Sequence, residues 1–485
     1  MDYTNKSIKK NVVMNMILTM SQFLFPLITF PYVSRILLPV GTGKVSFATS
    51  VISYFLMFAQ LGIPTYGIRA CAKVRDNRLE LTRTAHEILA LNILTSVISY
   101  IALFFVLQYV DRLQEDKMLY VVISFSIFLN AIGMEWLYKA LEQYTYITVR
   151  SLVFKAVSVV SMFLLVHNQE DYVIYGGITI LASSASNVFN FINVHKYIDM
   201  KPVGGYSIKR HWKPVLIFFA MSCATTIYTH LDTVMLGFMA SDIDVGYYNA
   251  AVRIKSILVS IVTSLGAVLL PRASYYVQNG QMEEFHKITK KAINFVFLVS
   301  IPLMLYFVFF AQEGIYFLSG EAYTGSILPM QIIMPTLLFI GLTNIMGIQM
   351  LVPLGQEKKV LYSVIAGAVV DVILNALLIP RFVSAGAAIG TVAAEIVVFV
   401  TQYIALHEEA QEAFQSIRFG KIALAVVVGS VSSLWVKLLN MGSFMSLVLS
   451  AVLFFGCYGV VLLATREPLA VEISSQMLKK VLKKN

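Results

Sequence analysis

Residues 11–36 read NVVMNMILTMSQFLFPLITFPYVSRI, and the first charged side chain among them is Arg35. A run of this length and polarity suits a helix that crosses hydrocarbon, because about 20 apolar residues at about 1.5 Å each cover about 30 Å. Working outward, comparable runs recur through the whole 485-residue chain. Hydropathy and loop breaks put them at 11–36, 44–66, 86–109, 118–138, 149–166, 173–196, 214–238, 245–270, 291–311, 325–351, 359–379, 385–406, 421–437 and 445–465. The chain is 58% hydrophobic and 13% charged, with a mean hydropathy of +0.75. That is too little charge to cover a soluble protein of this size. Strands in a membrane would alternate apolar and polar residues over about ten positions, and no such alternation is present. The expected fold is an all-α membrane protein of about fourteen transmembrane helices.

The net charge of +10 does not point to nucleic acid, because the bases sit in short loops. Of the 37 Lys and Arg, six (Arg35, Lys44, Arg112, Lys117, Arg381 and Lys437) fall in one set of alternate loops. Arg253 and Lys255 fall inside a span, and 29 remain for the opposite loops and the termini. Basic loops stay cytoplasmic, so both termini are expected there. Cys71, Cys223 and Cys457 lie in separate segments, a spacing that suggests neither a disulfide framework nor a metal site. The opening MDYTNKSIKK lacks a small-residue cleavage site, so the first span is expected to be retained. Nothing reads as a P-loop, which argues against a built-in ATPase. No cofactor is expected beyond coupling to H+ or Na+.

An internal likeness appears at an offset of 200. Residues 40–55, VGTGKVSFATSVISYF, share a layout with 240–255, ASDIDVGYYNAAVRIK, and each hairpin leads to a basic loop. Six spans separate the copies, so they keep one orientation, as parallel repeats about an axis along the membrane normal do. A general likeness between membrane hairpins would give a weaker version of the same pattern.

Polar residues inside spans are costly unless they face protein or water. In span eight, Asn249, Arg253, Ser256, Ser260 and Thr263 follow helical spacing along one face, with Lys255 turned about 200° away. Span one shows Asn15, Thr19, Gln22, Pro26 and Thr29, and span two shows Thr49, Ser53 and Gln60. Hydroxyls alone read as glue between helices, whereas Arg253 points span eight toward a cavity. Asp232 and Arg253 lie at similar depths, suited to an ion pair that is either structural or opened by an anion. His230 reads as a packing residue or a proton relay. Asp371 with Asn375, and Thr391 with Glu395, bring carboxylates near mid-membrane, suited equally to coupling ions and to structural pairing. Glu135, Lys139 and Glu142 sit at a helix end where water reaches them. Arg35 and Arg69 read as headgroup anchors.

Five stretches, taken in order, carry a family resemblance: FPYVSRILLPVGTGKVSFATSV at 30–51, AQLGIPTYGIRACAKVR at 59–75, EWLYKALEQYTYITVR at 135–150, LDTVMLGFMASDIDVGYYNAAVRI at 231–254 and LNALLIPRFVSAGAAIGTVAAE at 374–395. With these the chain resembles the Wzx-type polysaccharide flippases of the MATE-like multidrug/oligosaccharidyl-lipid/polysaccharide superfamily. It departs from that pattern at Pro39-Val40, where the family commonly has a leucine-glycine pair.

The resemblance implies two parallel six-helix lobes, residues 1–200 and 201–412, with 413–485 supplying two peripheral helices and a basic tail. It implies a transporter, not an enzyme, in the bacterial cytoplasmic membrane. Its cargo would be an undecaprenyl-diphosphate-linked oligosaccharide, moved to the outer leaflet by alternating access for cell-surface polysaccharide biosynthesis. Its partners would be this glycan lipid, membrane lipid and a polysaccharide polymerase. On that reading Arg253, Asn249, Arg35, Arg69, Asn15 and Gln22 meet the diphosphate or line the cavity. Asp232, Asp371, Glu395 and Glu142 serve ion coupling or gating. The rivals are a cation-coupled multidrug exporter, which wants an acidic cavity, and a membrane glycosyltransferase or polymerase, which wants larger outer loops. A lipid-binding scaffold without transport is a third.

Overall fold

The computed structural model describes residues 8–415, 417–439 and 441–482, and every regular element among them is a helix. The opening MDYTNKS and residues 483–485 of the basic tail lie outside the described residues. Contacts divide the chain into two compact units, Met1–Gly246 and Tyr247–Asn485.

The first unit holds α1 (Ile8–Gln60), α2 (Ile63–Ala72), α3 (Arg78–Tyr109), α4 (Asp111–Gln114) and α5 (Lys117–Gly133). It continues with α6 (Glu135–Ala140), α7 (Tyr144–Leu165), α8 (Tyr172–Ile180), α9 (Asn187–Asn193) and α10 (Lys209–Met239). The 53 residues of α1 would extend about 80 Å if straight, far beyond one bilayer. The helix breaks at Leu38 (φ 57°, ψ 179°). The ring of Pro39 bars its predecessor from helical ψ, which locates the break. Packing within the unit rests on close approaches. The Thr95 hydroxyl donates to the Ala59 carbonyl at 2.5 Å and the Ser99 hydroxyl to that of Phe55 at 2.6 Å. Gly67 lies under the Trp136 ring, where a Cβ would come within 2.7 Å.

The second unit takes up most of α11 (Asp242–Gln278), then α12 (Met282–Phe309), α13 (Ala311–Ser319), α14 (Ile327–Ile333) and α15 (Thr336–Thr343). It ends with α16 (Glu357–Ala405), α17 (His407–Gln415), α18 (Phe419–Leu434), α19 (Ser443–Ala464) and α20 (Pro468–Leu482). The 49-residue α16 breaks at Val383 (φ 43°, ψ −123°), and its halves run back antiparallel. Ser363, Gly367, Asp371, Asn375 and Ile379 are buried at every fourth position of the first half. Small residues of the second half meet them. A Cβ on Gly386 would lie 2.5 Å from the Leu378 carbonyl, and one on Gly390 2.3 Å from the Asn375 amide oxygen. Gln402 donates to the Ser363 hydroxyl at 3.0 Å farther along. Small residues let backbones approach where lipid supplies no hydrophobic drive. The α18–α19 pair packs on α12, with the Tyr458 and Tyr306 hydroxyls donating to the Leu298 and Leu447 carbonyls at 2.8 and 2.9 Å. Its outer positions stay apolar and exposed, as with Val431 at 71%.

Among the described residues, nine helices are long and apolar enough to cross a membrane, or eleven if each of two bent pairs is one span. The long helices α1 and α16 are each broken internally, and the 17-residue α5 is a shorter apolar helix. The compact units divide at Gly246, and within the first of them α10 packs on α1 and α2.

The close contact inside α16 yields a stability prediction. Gly390→Leu should lower unfolding free energy by about 1–3 kcal/mol through overpacking, read as a drop in Tm of the detergent-purified protein. Gly459→Leu on α19, with no neighbouring atom within 4 Å of its Cβ position, should change it by less than about 0.5 kcal/mol.

Candidate substrate path

The first unit has two chemically distinct ends. At the end shared with the start of α1, Glu142 (φ 55°) pairs with Arg75 at 2.8 Å and accepts from the Asn11 amide at 3.4 Å. At the opposite end Lys44 pairs with Asp116 at 2.9 Å, and the Tyr172 hydroxyl donates to the same carboxylate at 2.7 Å. Arg112 there joins Asp242 and the Gly237 carbonyl. The turn after the α1 break sits directly on residues 240–246. A Cβ on Gly43 would fall 1.8 Å from the Asp242 carbonyl oxygen, and one on Gly246 2.1 Å from that of Pro39. Glycine is required at both positions for this backbone contact.

Between these ends lies polar chemistry at membrane depth. Lys155 sits about 16 Å along α7, near the middle of a 30 Å core. Its ammonium donates to the Ser21 hydroxyl of α1 at 2.6 Å and, among the described residues, pairs with no carboxylate. Asn15, Thr19 and Gln22 are exposed on α1. The Thr19 hydroxyl is spent on its own helix, donating to the Asn15 carbonyl at 2.9 Å. Across from the second half of α1, α10 closes a cavity of about 500 Å³ lined by Ser53, Gln60, Thr65, Ser222, Thr226 and His230. Hydroxyls, an amide and an imidazole thus sit on an otherwise apolar wall. The His230 ring lies 3.3 Å from the Ser50 hydroxyl. Asp232 is buried in the same helix and has an interaction partner.

In the second unit, Asn249 and Arg253 are half-buried on α11 and engaged by neighbours. Ser256, Ser260 and Thr263 all donate back to carbonyls of their own helix, so the hydroxyls of that stripe are locally satisfied. The α16 hairpin brings Asp371 and Asn375 together opposite Gly390, with Thr391 bonded to the Tyr248 hydroxyl at 2.9 Å. Asp371 and Glu395 are both buried and engaged. Arg35 is exposed and donates to the Pro31 carbonyl, and Arg69 is exposed at the end of α2.

Two features escape a reading of the sequence. Lys155 follows Arg150 closely and passes for another base at a span end; only the start of α7 at Tyr144 puts it at mid-depth. Glu87 resembles a solvated helix-end acid, yet its side chain is fully buried. It accepts from the Ser207 N–H at 2.6 Å, pairs with Arg210 at 2.6 Å and meets the His211 ring at 2.6 Å. The other ring nitrogen of His211 lies 2.6 Å from the Tyr66 hydroxyl. Residues more than a hundred positions apart make this clamp, and local pattern carries no signal of it.

Comparison with known proteins agrees with this architecture. The sequence profile described as "Polysaccharide biosynthesis protein" matches residues 8–277, and that of MatE matches residues 218–377. A protein of Escherichia coli (strain K12) named as an O-antigen transporter is 25% identical over 400 residues, covering 81% of this chain and 96% of its own. A Haloferax volcanii protein named as a low-salt glycan biosynthesis flippase is 22% identical, covering 49% of this chain and 44% of its own. The inward-closed structure of the lipid II flippase MurJ superposes with a TM-score of 0.73 at 13% identity, covering 94% of this chain and 99% of that one. An inward-facing MATE-family multidrug transporter superposes at 0.63 and 15%, covering 83% and 99%. At such identities the structural likeness speaks for the fold.

The Glu87 clamp is open to a double-mutant cycle. Glu87→Ala should cost about 1–3 kcal/mol, because it strands buried hydrogen-bonding groups of His211. Glu87→Ala with His211→Ala should show a coupling energy of about 0.5–3 kcal/mol, measured from denaturation in detergent.

Proposed function

We propose, since this chain belongs to the polysaccharide biosynthesis protein family, that it is a transporter carrying a lipid-linked glycan from the cytoplasmic to the outer leaflet of a bacterial cytoplasmic membrane. The observation that carries this reading is Lys155, a mid-depth ammonium held by a serine hydroxyl. A cation at that depth costs several kcal/mol unless water or an anion meets it, and a glycan lipid crossing the bilayer brings a diphosphate. Arg253 supplies a second cation in the other unit, with a planar guanidinium suited to two-point contact with phosphate. The hydroxyl-lined cavity beside α1 suits the sugar. An undecaprenyl-diphosphate carrier is the cargo that this chemistry fits, moved by alternating access. The relatives' names, an O-antigen transporter and a glycan flippase, support a glycan cargo. Both termini on the cytoplasmic side follow from the basic loops.

No hydrolysis is needed for the direction of transport. With the interior negative, outward movement of an anion gains roughly 2.3 kcal/mol per charge per 100 mV. The buried Asp371 and Glu395 would add coupling to H+ or Na+. These acids, with the MatE match over residues 218–377, also favour one rival, a cation-coupled drug exporter.

Reconstituted wild-type protein should move a labelled polyprenyl-diphosphate oligosaccharide between leaflets, faster with an outward-driving potential. Lys155→Ala and Arg253→Ala should each slow it by about tenfold or more at equal expression, the loss of one charge-assisted hydrogen bond. Normal rates in both variants would remove these cations from the path. Export of cationic dyes with no glycan-lipid movement would establish the drug exporter instead.

A further inference from the structure

A second cavity of about 540 Å³ lies within the first unit, at the end shared with the start of α1. Arg69 of α2, Lys73 just after it, and Arg210 and Lys213 of α10 converge on it. Arg210 is held by buried Glu87, which also orients His211 in the cavity wall. Among the described residues Arg69, Lys73 and Lys213 have no carboxylate partner, so the site keeps a net positive charge. Its other wall is apolar, built from Val74, Pro214, Ile217 and Phe218. Ile217 is 60% exposed, continuing the apolar wall onto the outer surface of α10. Phe218 also lines the hydroxyl-rich cavity described above. It is pressed against Gly62 (φ 73°), where a Cβ would come within 2.6 Å of the Phe218 backbone. Phe218 therefore borders both cavities.

We propose that the basic cavity docks the phosphate headgroup of a lipid before transport, with the chain leaving along Ile217 and the first sugar passing Phe218 into the neighbouring cavity. This rests on the flippase reading. The shared chemistry is a phosphate attached to a long apolar chain, and the committed source is the polyprenyl-diphosphate cargo and not bulk phospholipid. Ion pairs with phosphate supply attraction, and the apolar wall adds affinity that a free anion does not gain.

The test titrates full-length protein in phosphatidylcholine nanodiscs with farnesyl diphosphate and, separately, inorganic pyrophosphate. Wild type should bind farnesyl diphosphate saturably and pyrophosphate more weakly. The Arg69→Ala/Lys73→Ala/Lys213→Ala variant should lose about tenfold or more in affinity at unchanged Tm. Arg69→Gln/Lys73→Gln, with less truncation, should lose part of it. Unchanged affinity in both variants overturns the site, and equal affinity for pyrophosphate overturns the role of the apolar wall. Suppression of binding when phosphatidylglycerol replaces phosphatidylcholine assigns the pocket to bulk anionic lipid and overturns the cargo assignment. Transport is scored separately. Normal glycan-lipid movement by the triple variant overturns docking while the flippase reading stands, and absence of movement by wild type overturns that reading while the titration still decides the pocket.

Discussion

Hydrocarbon offers no hydrogen bonds, so every backbone N–H and C=O at membrane depth must be satisfied within its own helix. The rest of the structure follows from this. Helices run long, and the chain reverses where it can leave that constraint. In α1 the reversal falls at Leu38, where Pro39 both removes a donor and bars helical ψ from its neighbour. In α16 it falls at Val383, a few residues before the glycine and alanine run that lets the returning half lie close. Many serine and threonine hydroxyls inside the spans bond to carbonyls of their own turn, as Ser256, Ser260 and Thr263 do.

The same solvent makes mid-depth charge rare and therefore informative. Most bases of the first unit gather at the end where α1 begins, within reach of water and lipid phosphate. Lys155 stands apart from them, half-buried and bonded to Ser21. Asp371 with Asn375, inside the α16 hairpin, shows the opposite solution, in which polar groups are packed against glycine and kept from lipid. Lys155 has a neutral hydroxyl for a partner, whereas the Asp371 carboxylate is enclosed by its own hairpin.

Ion pairs in the first unit also differ by end. Lys44–Asp116 and Arg112–Asp242 fasten turns whose backbones already touch through Gly43 and Gly246, so charge and close packing reinforce each other there. At the other end Glu87 organises Arg210 and His211 while leaving Arg69, Lys73 and Lys213 unmatched. Arg75 still pairs with Glu142 at this end, so its basic charge is matched only in part.

The sequence by itself determined the helical class, the membrane setting, the order of spans and the polar stripes on α1 and α11. These depend on composition and on spacing along one helix, which are local properties. It also singled out Asp371 with Asn375 and Thr391 with Glu395 as helical pairs. Only the tertiary structure decided that Asp371 and Asn375 meet Gly390, that Glu142 is tied to Arg75, and that α10 packs on α1 and α2. Glu87 shows the reason most plainly. Its burial is caused by Ser207, just before α10, and by Arg210 and His211 at the start of that helix, and such distant contacts are set by side-chain fit that no period along the chain records.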